Sequence, residues 1–112
     1  MKSARLIDAV SVVIPHYGDP AHADSLVCQL MSQVGAPEFE IIVVDDASPQ
    51  PYPDDERVRL VRRERNGGFG AAVNSGVAQA KHPYLLILNS DLSVGATFVA
   101  DLCKAAAPFQ PA

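Results

Sequence analysis

Two apolar runs that each end abruptly in acidic residues constrain the fold of this chain more than any other feature. Residues 84–88 read YLLIL and are followed by Asn89, Ser90 and Asp91, and residues 41–44 read IIVV and are followed by Asp45 and Asp46. Strands without polar alternation are typical of parallel sheets that are covered on both faces. Ligands of such proteins bind outside the carboxyl ends of the strands. The pattern therefore predicts two strands that carry carboxylates to one rim of a parallel sheet.

Strand and helix patterns alternate along the first half of the chain. Residues 10–14 predict the first strand, and Asp19 followed by Pro20 predicts a helix start, with an N-cap and a proline at the first helical position. Gly35 and Pro37 end this helix, and residues 40–44 predict the second strand. The apolar positions that predict the buried stripe of the helix are Leu26, Val27, Leu30, Met31 and Val34.

The second half of the chain continues the alternation. The prolines in residues 49–53 argue against a helix there, and the interleaved arginines of residues 58–62 predict a third strand at a sheet edge. The glycine-rich segment 66–70 opens a second helix, residues 84–88 form the fourth strand, and a last helix precedes a poorly structured tail, residues 108–112. The predicted inner residues are Phe69, Val73, Val77 and Ala80 in the second helix, where Ala72 and Gly76 allow close approach to the sheet, and Phe98, Leu102 and Ala106 in the third.

The connections between these elements leave few topologies, because crossovers between parallel strands are right-handed. If the chain moves outward from strand one to strands two and three and then returns to the other side of strand one, the strand order is 3-2-1-4. The predicted fold class is α/β, with three αβα layers and a mostly parallel sheet. Its ligand crevice lies between strands one and four. The tips of strands one, two and four are therefore predicted to converge on one site.

Composition limits the size and the partners of the protein. The 112 residues, 48% of them hydrophobic, fit one globular domain. A net charge of −4 argues against nucleic acid as a partner, because phosphate binding without a cation needs a basic surface. No apolar segment approaches the roughly 20 residues that span a bilayer. Cys28 and Cys103 are expected to be reduced thiols, and the sequence predicts a soluble, cytoplasmic protein.

Four motifs follow one another along the chain: residues 12–17 (VVIPHY), 42–48 (IVVDDAS), 66–74 (NGGFGAAVN) and 88–91 (LNSD). In this order and spacing they resemble the motifs of family 2 glycosyltransferases with the GT-A fold, in particular the rhamnosyltransferase-like branch. The resemblance covers residues 10 to about 102. It implies that residues 1–112 are a single domain, the N-terminal nucleotide-sugar-binding half of such an enzyme, with a truncated GT-A fold.

The resemblance also implies roles for individual residues. Asp91 would bind the divalent cation, Mg²⁺ or Mn²⁺, that bridges the diphosphate of the donor, and Asn89 would lie beside it. The donor would be a UDP-, dTDP- or GDP-linked sugar, and the acceptor an unknown saccharide or lipid-linked molecule. The residues implied for nucleotide-sugar binding are Pro15 and Tyr17 at the nucleoside, Asp46 as acceptor from the base N–H, and Asp45, Asn66, Gly67, Gly68 and Ser90.

Several of these residues have a structural alternative. Asp91 could cap a turn into the last helix. Asp45 could be structural, because side chains alternate at a strand end and only one of two neighbours faces the cleft easily. The glycine-rich loop could merely permit a tight turn, or its backbone N–H groups could face the ligand. His16 is expected to be a loop histidine rather than a metal ligand.

The chain departs from the family pattern at three positions. Asn89 stands at the first acidic position of the usual Asp-x-Asp, which predicts weaker metal binding. Gly18 stands where an asparagine often follows the tyrosine, and Val73 stands where many members carry arginine. No residue is assigned as the catalytic base of an inverting transfer, so the expectation is donor binding without efficient turnover by the 112 residues alone. The full-length form is expected in the cytoplasm or peripherally at the inner face of the membrane.

Two other function classes remain open. Gly68 and Gly70 match the first two glycines of a dinucleotide fingerprint, as in an oxidoreductase, but Val73 occupies the third small position and the loop follows the third strand. A non-catalytic α/β interaction module is the second alternative. The exposed edge of strand four also predicts either self-association, for example as a homodimer, or a missing partner segment that covers the edge.

Overall fold

The computed structural model describes residues 7–106, and within them every predicted strand and helix is present in the predicted order. The predicted tail, residues 108–112, lies outside the described residues. In chain order the elements are β1 (Ala9–His16), α1 (Pro20–Met31), β2 (Glu38–Asp45), β3 (Arg59–Arg62), α2 (Phe69–Val77), β4 (Tyr84–Ile87) and α3 (Phe98–Ala106).

The strands form one parallel sheet with the order β3-β2-β1-β4, as predicted. β1 and β2 pair along their whole length, from Ala9 opposite Glu38 to His16 opposite Asp45. β3 pairs with the C-terminal half of β2, and β4 pairs with the first half of β1. Because all four strands are parallel, their carboxyl ends lie at the same rim of the sheet.

Alternate residues of the central strands build two separate apolar cores, because successive side chains of a strand point to opposite faces. On one face Val12 and Ile14 cluster with residues of α1 and α3. On the other face Val13 packs with Ala72 of α2. The predicted three-layer αβα architecture is therefore confirmed, with α1 and α3 on one side of the sheet and α2 on the other.

α1 begins as its sequence predicts and ends earlier. The carboxylate of Asp19 accepts a hydrogen bond from the N–H of Ala21 at 2.9 Å, and Pro20 is the first helical residue. The predicted stripe was wrong at its C-terminal end, where Met31 and Val34 are exposed. The helix ends at Met31, so its regular spacing does not extend to Val34. The residues that α1 buries are Ala23, Leu26, Val27 and Leu30.

α2 turns its smallest residues towards the sheet. Ala72 and Gly76 are its buried residues, and a Cβ atom on Gly76 would lie 2.5 Å from Cγ1 of Val13. The helix is too close to the sheet for a larger side chain to fit between them. The predicted close approach of Ala72 and Gly76 is therefore confirmed, whereas the predicted inner stripe was wrong, since Phe69 is 58% exposed. The other residues of that stripe are only half-buried: Val73, Val77 and Ala80.

The inner face of α3 also differs from the predicted one. Val99 and Ala100 are buried, and Phe98 packs partly against the core, whereas Leu102 and Ala106 are exposed. Burial is concentrated in the first turn of the helix. The spacing of Phe98, Leu102 and Ala106 was therefore the wrong guide to the buried face, because the later turns extend along the surface.

The connection between β2 and β3, residues 46–58, contains no helix, as its prolines predict. Tyr52 anchors it, since this side chain is only 1% exposed and its O–H donates a hydrogen bond to Asp55 at 2.7 Å. Arg57 joins Asp55, at 2.7 Å, to Asp24 of α1, at 2.6 Å. The loop is thus fixed to both the sheet and α1. The sequence did not predict this anchor, because a single aromatic residue among prolines gives no periodic pattern.

Both cysteines lie on helices. Cys28 on α1 and Cys103 on α3 are both free, as predicted. Within residues 7–106 no helix combines the length and the apolar character that crossing a bilayer requires.

Candidate functional site

The tips of β1, β2 and β4 lie side by side at the carboxyl rim of the sheet. His16 at the end of β1 is paired with Asp45 at the end of β2, and the N–H of Asp46 donates to the carbonyl of His16 at 2.8 Å. After β4 the N–H of Leu88 donates to the carbonyl of Val13 at 2.9 Å. The chain then turns through residues 89–92. The predicted convergence of the three strand tips is therefore present in the structure.

A cleft of about 210 Å³ opens between these tips and the start of α2. Six of the ten residues predicted for the nucleotide sugar and the cation line it, and the four that do not are Asp45, Gly67, Ser90 and Asp91. Grooves of about 550 and 490 Å³ lie elsewhere, against α1 and the β2–β3 loop, and contain none of the ten. The residues that line the cleft are Pro15, His16, Tyr17, Asp46, Asn66, Gly68, Phe69, Ala72 and Asn89.

Asp46 holds the glycine-rich loop at the side of the cleft. Its nearly buried carboxylate accepts hydrogen bonds from the N–H of Gly67, at 3.1 Å, and of Gly68, at 2.9 Å. Arg63 Nε donates to the same carboxylate at 2.7 Å, and another nitrogen of this guanidinium donates to Ser75 of α2 at 2.6 Å. Two backbone donors of the loop thus bind the protein's own carboxylate, which supports the tight-turn alternative for them.

Two of the loop glycines are required by the geometry. Gly68 has a φ of +88°, a conformation that residues with a Cβ atom rarely adopt. A Cβ atom on Gly67 would lie 2.5 Å from Nη2 of Arg63 and 2.9 Å from Cβ of Ala71. The sequence motif therefore matches a real constraint. Arg63 itself was not predicted as a site residue, although its place directly after β3 puts it at the same rim.

Asp45 organises the neighbouring loop and does not line the cleft. Its two carboxylate oxygens accept hydrogen bonds from the N–H groups of Ser48, at 3.0 Å, and Tyr52, at 2.8 Å. Burial acts to raise the pKa of Asp45, but the hydrogen bonds from Ser48 and Tyr52 outweigh it and leave the pKa below its ordinary value. These contacts favour the structural alternative for Asp45. Its side chain does not reach the cleft, so no contact supports its predicted role in donor binding.

His16 and Ser90 join the tips of β1 and β4. Nδ1 of His16 lies 3.0 Å from Oγ of Ser90, and both side chains are buried. The expectation of a loop histidine was wrong, because His16 is the last residue of β1 and only 2% exposed. Burial lowers the pKa of His16, so its imidazole is neutral at neutral pH. No pattern in the sequence indicated the contact with Ser90.

Asn89 and Asp91 are exposed in the turn of residues 89–92, which the N–H of Leu92 closes by donating to the carbonyl of Asn89 at 3.1 Å. Asp91 does not cap the last helix, since α3 begins only at Phe98. Within residues 7–106 no group of three His, Cys, Asp or Glu side chains is arranged to hold a metal ion. A cation at this turn would take one carboxylate and one amide oxygen from the protein, which leaves its other coordination positions to a ligand.

Comparison with known proteins places the chain among sugar-transferring enzymes. The family model described as "Glycosyl transferase family 2" matches residues 11–108. "Glycosyltransferase GlyG" of Streptococcus pneumoniae is 33% identical over 92 residues, which cover 75% of this chain and 30% of GlyG.

Two solved structures share the fold. The structure of S. aureus TarS 1–349 in complex with UDP has a TM-score of 0.72 and 26% identity, over 87% of this chain and 31% of that one. The mannosyltransferase PcManGT from Pyrobaculum calidifontis, solved with GDP-Man and Mn²⁺, has a TM-score of 0.65 and 23% identity, over 73% of this chain and 27% of that one. The similarity of the two structures confirms the predicted GT-A fold. The chain spans about a third or less of the length of these relatives.

Proposed function

Because the chain belongs to glycosyl transferase family 2, we propose that it is the donor-binding half of a glycosyltransferase and holds a nucleoside-diphosphate sugar at the carboxyl rim of its sheet. The observation that carries this proposal is the cleft between the tips of β1 and β2 and the start of α2, lined by six of the residues implied for donor binding. In open α/β sheets this rim is where ligands bind.

The nucleoside is the part of the donor that this cleft suits best. Ligand pockets for whole small molecules measure roughly 300–1,000 Å³, so a cleft of about 210 Å³ suits one portion of a nucleotide sugar. Tyr17 and Phe69 line it and are 55% and 58% exposed, and exposed aromatic rings stack well on planar bases. S. aureus TarS binds UDP, and its complex with UDP-GlcNAc is 30% identical to this chain, which makes uridine nucleotides the first ligands to test. GDP- and dTDP-linked donors are the next candidates.

The turn of residues 89–92 suits a divalent cation. Mg²⁺ is usually held by one or two carboxylates together with substrate phosphates, rather than by a cage made only of protein atoms, and an exposed Asp91 beside Asn89 meets that description. These two residues would hold Mg²⁺ or Mn²⁺. When bound, the cation neutralises negative charge on the diphosphate. This chain has a net charge of −4, so its own surface supplies little positive charge for that purpose.

The donor-binding proposal extends to the reaction and its setting. Residues 1–112 would supply the nucleotide sugar for an inverting transfer to a saccharide or lipid-linked acceptor, in the cytoplasm or at the inner face of the membrane. The catalytic base has no assigned residue. The oxidoreductase alternative has little left to support it, because the family match is to glycosyltransferases and the glycine-rich loop follows β3 rather than β1.

Calorimetric titration tests the proposal directly. UDP, dTDP and GDP are titrated into the protein with and without Mn²⁺ or Mg²⁺, and we expect the cation to strengthen the binding of one nucleotide by at least about 1.4 kcal/mol, which is tenfold in Kd. Asp91→Asn is expected to remove this cation dependence while uridine, which has no phosphate, binds as before.

The matched control is Asp8→Asn, which makes the same charge change on an exposed residue just before β1, at the opposite end of the sheet from the rim. It should leave the cation dependence unchanged. A protein that binds none of the three nucleotides under any condition would instead support the non-catalytic interaction module. Metal-independent binding of NADH would revive the oxidoreductase alternative.

A further inference from the structure

His16 keeps one buried nitrogen without a partner. Among the described residues, its Nε2 is the buried side-chain nitrogen or oxygen that lacks a hydrogen bond, although the residue is only 2% exposed and lines the cleft. An unsatisfied buried polar atom carries an uncompensated desolvation cost. An apolar side chain at this strand tip would avoid that cost, so stability alone does not account for a histidine here.

The other ring nitrogen of His16 makes a contact that an apolar side chain would lose. Nδ1 lies 3.0 Å from Oγ of Ser90, which is itself 6% exposed. Ser90 is the residue between Asn89 and Asp91, in the turn that the N–H of Leu92 closes. The bond therefore joins the end of β1 to the turn that carries both predicted cation ligands.

The imidazole of His16 can hold Ser90 in place, because the orientation of the ring is itself fixed. The carbonyl of His16 accepts the N–H of Asp46 at 2.8 Å, which anchors the residue to β2. Its ring meets the ring of Tyr52 edge to face, with centroids 6.2 Å apart and planes at 71°. A ring held by β2, by Tyr52 and by Ser90 has little freedom to move, so Ser90 is held by a rigid group.

We propose that His16 is a positioning residue that fixes the turn of residues 89–92, and with it Asn89 and Asp91, through its hydrogen bond to Ser90. It acts on the donor site without being a ligand of the cation. The effect of His16 on donor binding rests on the proposed function. The link between His16 and the turn is a property of the protein alone and can be measured without a ligand.

The first experiment measures solvent exchange of the Leu92 amide by NMR in the ligand-free protein, relative to a reference amide in the centre of β2. We expect exchange to be about fivefold faster in His16→Leu and in Ser90→Ala, because each removes the bond that holds the turn. The double variant should be no faster than either single one. His16→Asn, whose side-chain amide can still bond Ser90, should restore most of the protection.

The second experiment measures the ratio of the UDP Kd without and with Mn²⁺. We expect this ratio to fall roughly tenfold in His16→Leu and Ser90→Ala, the usual effect of losing a group that orients a metal ligand, while the affinity for uridine stays unchanged. The control is Ser32→Ala at the end of α1, which removes an exposed hydroxyl that donates to the carbonyl of Cys28 at 3.2 Å and touches no residue of the rim. It should alter neither readout.

Three outcomes decide the matter. Leu92 exchange at the wild-type rate in Ser90→Ala would overturn the inference, and this variant leaves β1 intact if His16→Leu fails to fold. An equal loss of uridine and UDP affinity would also overturn it, because it would mean a general disturbance of the cleft. A wild-type protein that binds none of UDP, dTDP and GDP would overturn the proposed function, while faster Leu92 exchange in the variants would still support the link from His16 to the turn.

Discussion

Asp45 and Asp46 are neighbours in the sequence, yet each carboxylate holds a different loop. Asp45 accepts from two backbone N–H groups of the β2–β3 loop, and Asp46 accepts from two backbone N–H groups of the glycine-rich loop. The alternation of side chains at the end of β2 sends the two groups in different directions. Each aspartate is therefore needed to hold its own loop, and of the two only Asp46 lines the cleft.

Replacing Asp45 by asparagine tests its structural role. The amide keeps one acceptor oxygen but turns an NH₂ group towards a backbone N–H, so one buried donor is left unsatisfied. We expect Asp45→Asn to lower the free energy of unfolding by about 1–3 kcal/mol at pH 7, measured by urea denaturation. The control is Asp54→Asn in the same loop, where a fully exposed carboxylate pairs with Arg62 at 3.1 Å and no measurable change is expected.

The pH dependence of the same variant gives a second prediction. The pKa of Asp45 in the folded protein lies below its ordinary value, so the carboxylate stabilises the fold above the unfolded pKa of about 3.9, and this contribution is lost as the pH falls through the lower folded value. The difference in unfolding free energy between wild type and Asp45→Asn should therefore narrow below about pH 4. A difference that stays constant from neutral to strongly acidic pH would contradict this account.

Sequence reasoning identified the acidic and glycine residues of the rim but not their partners. Asp46, Gly67 and Gly68 belong to motifs that can be read along the chain. Arg63 lies in none of the motifs, and His16 lies in one but its contact with Ser90 was not predicted. The contacts of these two residues join positions 17 and 74 apart in the sequence. A hydrogen bond between distant strand tips depends on side-chain orientation, which neither periodicity nor spacing specifies.

At the scale of the elements, the packing of α2 depends on Gly76. A Cβ atom there would lie 2.5 Å from Cγ1 of Val13 and 2.8 Å from Cγ2 of Val44, so Gly76→Ala forces the helix away from both central strands. We expect this variant to lose about 1–3 kcal/mol of unfolding free energy in urea denaturation, the usual cost of overpacking a core.

Gly70 provides the matched control on the same helix. A Cβ atom at Gly70 would have no heavy atom within 4 Å, and its backbone does not have a positive φ. Gly70→Ala should therefore stabilise the protein by about 0.4–1 kcal/mol, since it restricts the unfolded chain without creating a clash. If both variants changed stability in the same direction by similar amounts, close packing at Gly76 would not be the cause.

The strands were easier to predict than the helix faces, although the buried residues Leu26, Val27 and Leu30 of α1 and the close approach of Ala72 and Gly76 of α2 to the sheet were predicted correctly. A strand buried on both faces needs apolar residues at every position. The sequence therefore predicts β2 whichever face of the sheet each side chain points to. A helix must choose a face, and α2 and α3 carry apolar or small residues on several sides. In α2 the distance to the sheet decided the choice in favour of Ala72 and Gly76, which a ranking by hydrophobicity places behind Phe69 and Val73.

At the scale of the whole molecule, the strand order follows from the handedness of the crossovers and the lengths of the connections, which is why 3-2-1-4 could be predicted. This order puts β1 and β2 in the centre and leaves β3 and β4 at the two edges. β3 carries arginines on its exposed positions, which discourage pairing with other strands. β4 has no such protection, since its sequence is YLLI.

The edge of β4 is therefore the part of the described surface most prone to association. β4 pairs with β1 on one side, and Leu85 is 43% exposed. An apolar edge strand presents backbone groups that can pair with another chain. We expect reversible self-association through the apolar surface around Leu85, with a homodimer as the simplest product.

Sedimentation at increasing protein concentration tests this expectation, with Leu85→Lys as the informative variant. A charge on the edge strand should shift the equilibrium towards monomer, because pairing would then bury an unpaired ammonium group beside the new strand. Leu102→Lys is the control, since it adds the same charge to an equally large residue, 39% exposed, on α3. Self-association that responds equally to both substitutions would point to non-specific apolar contacts, and a wild-type protein that stays monomeric at the highest concentration would refute association through β4 altogether.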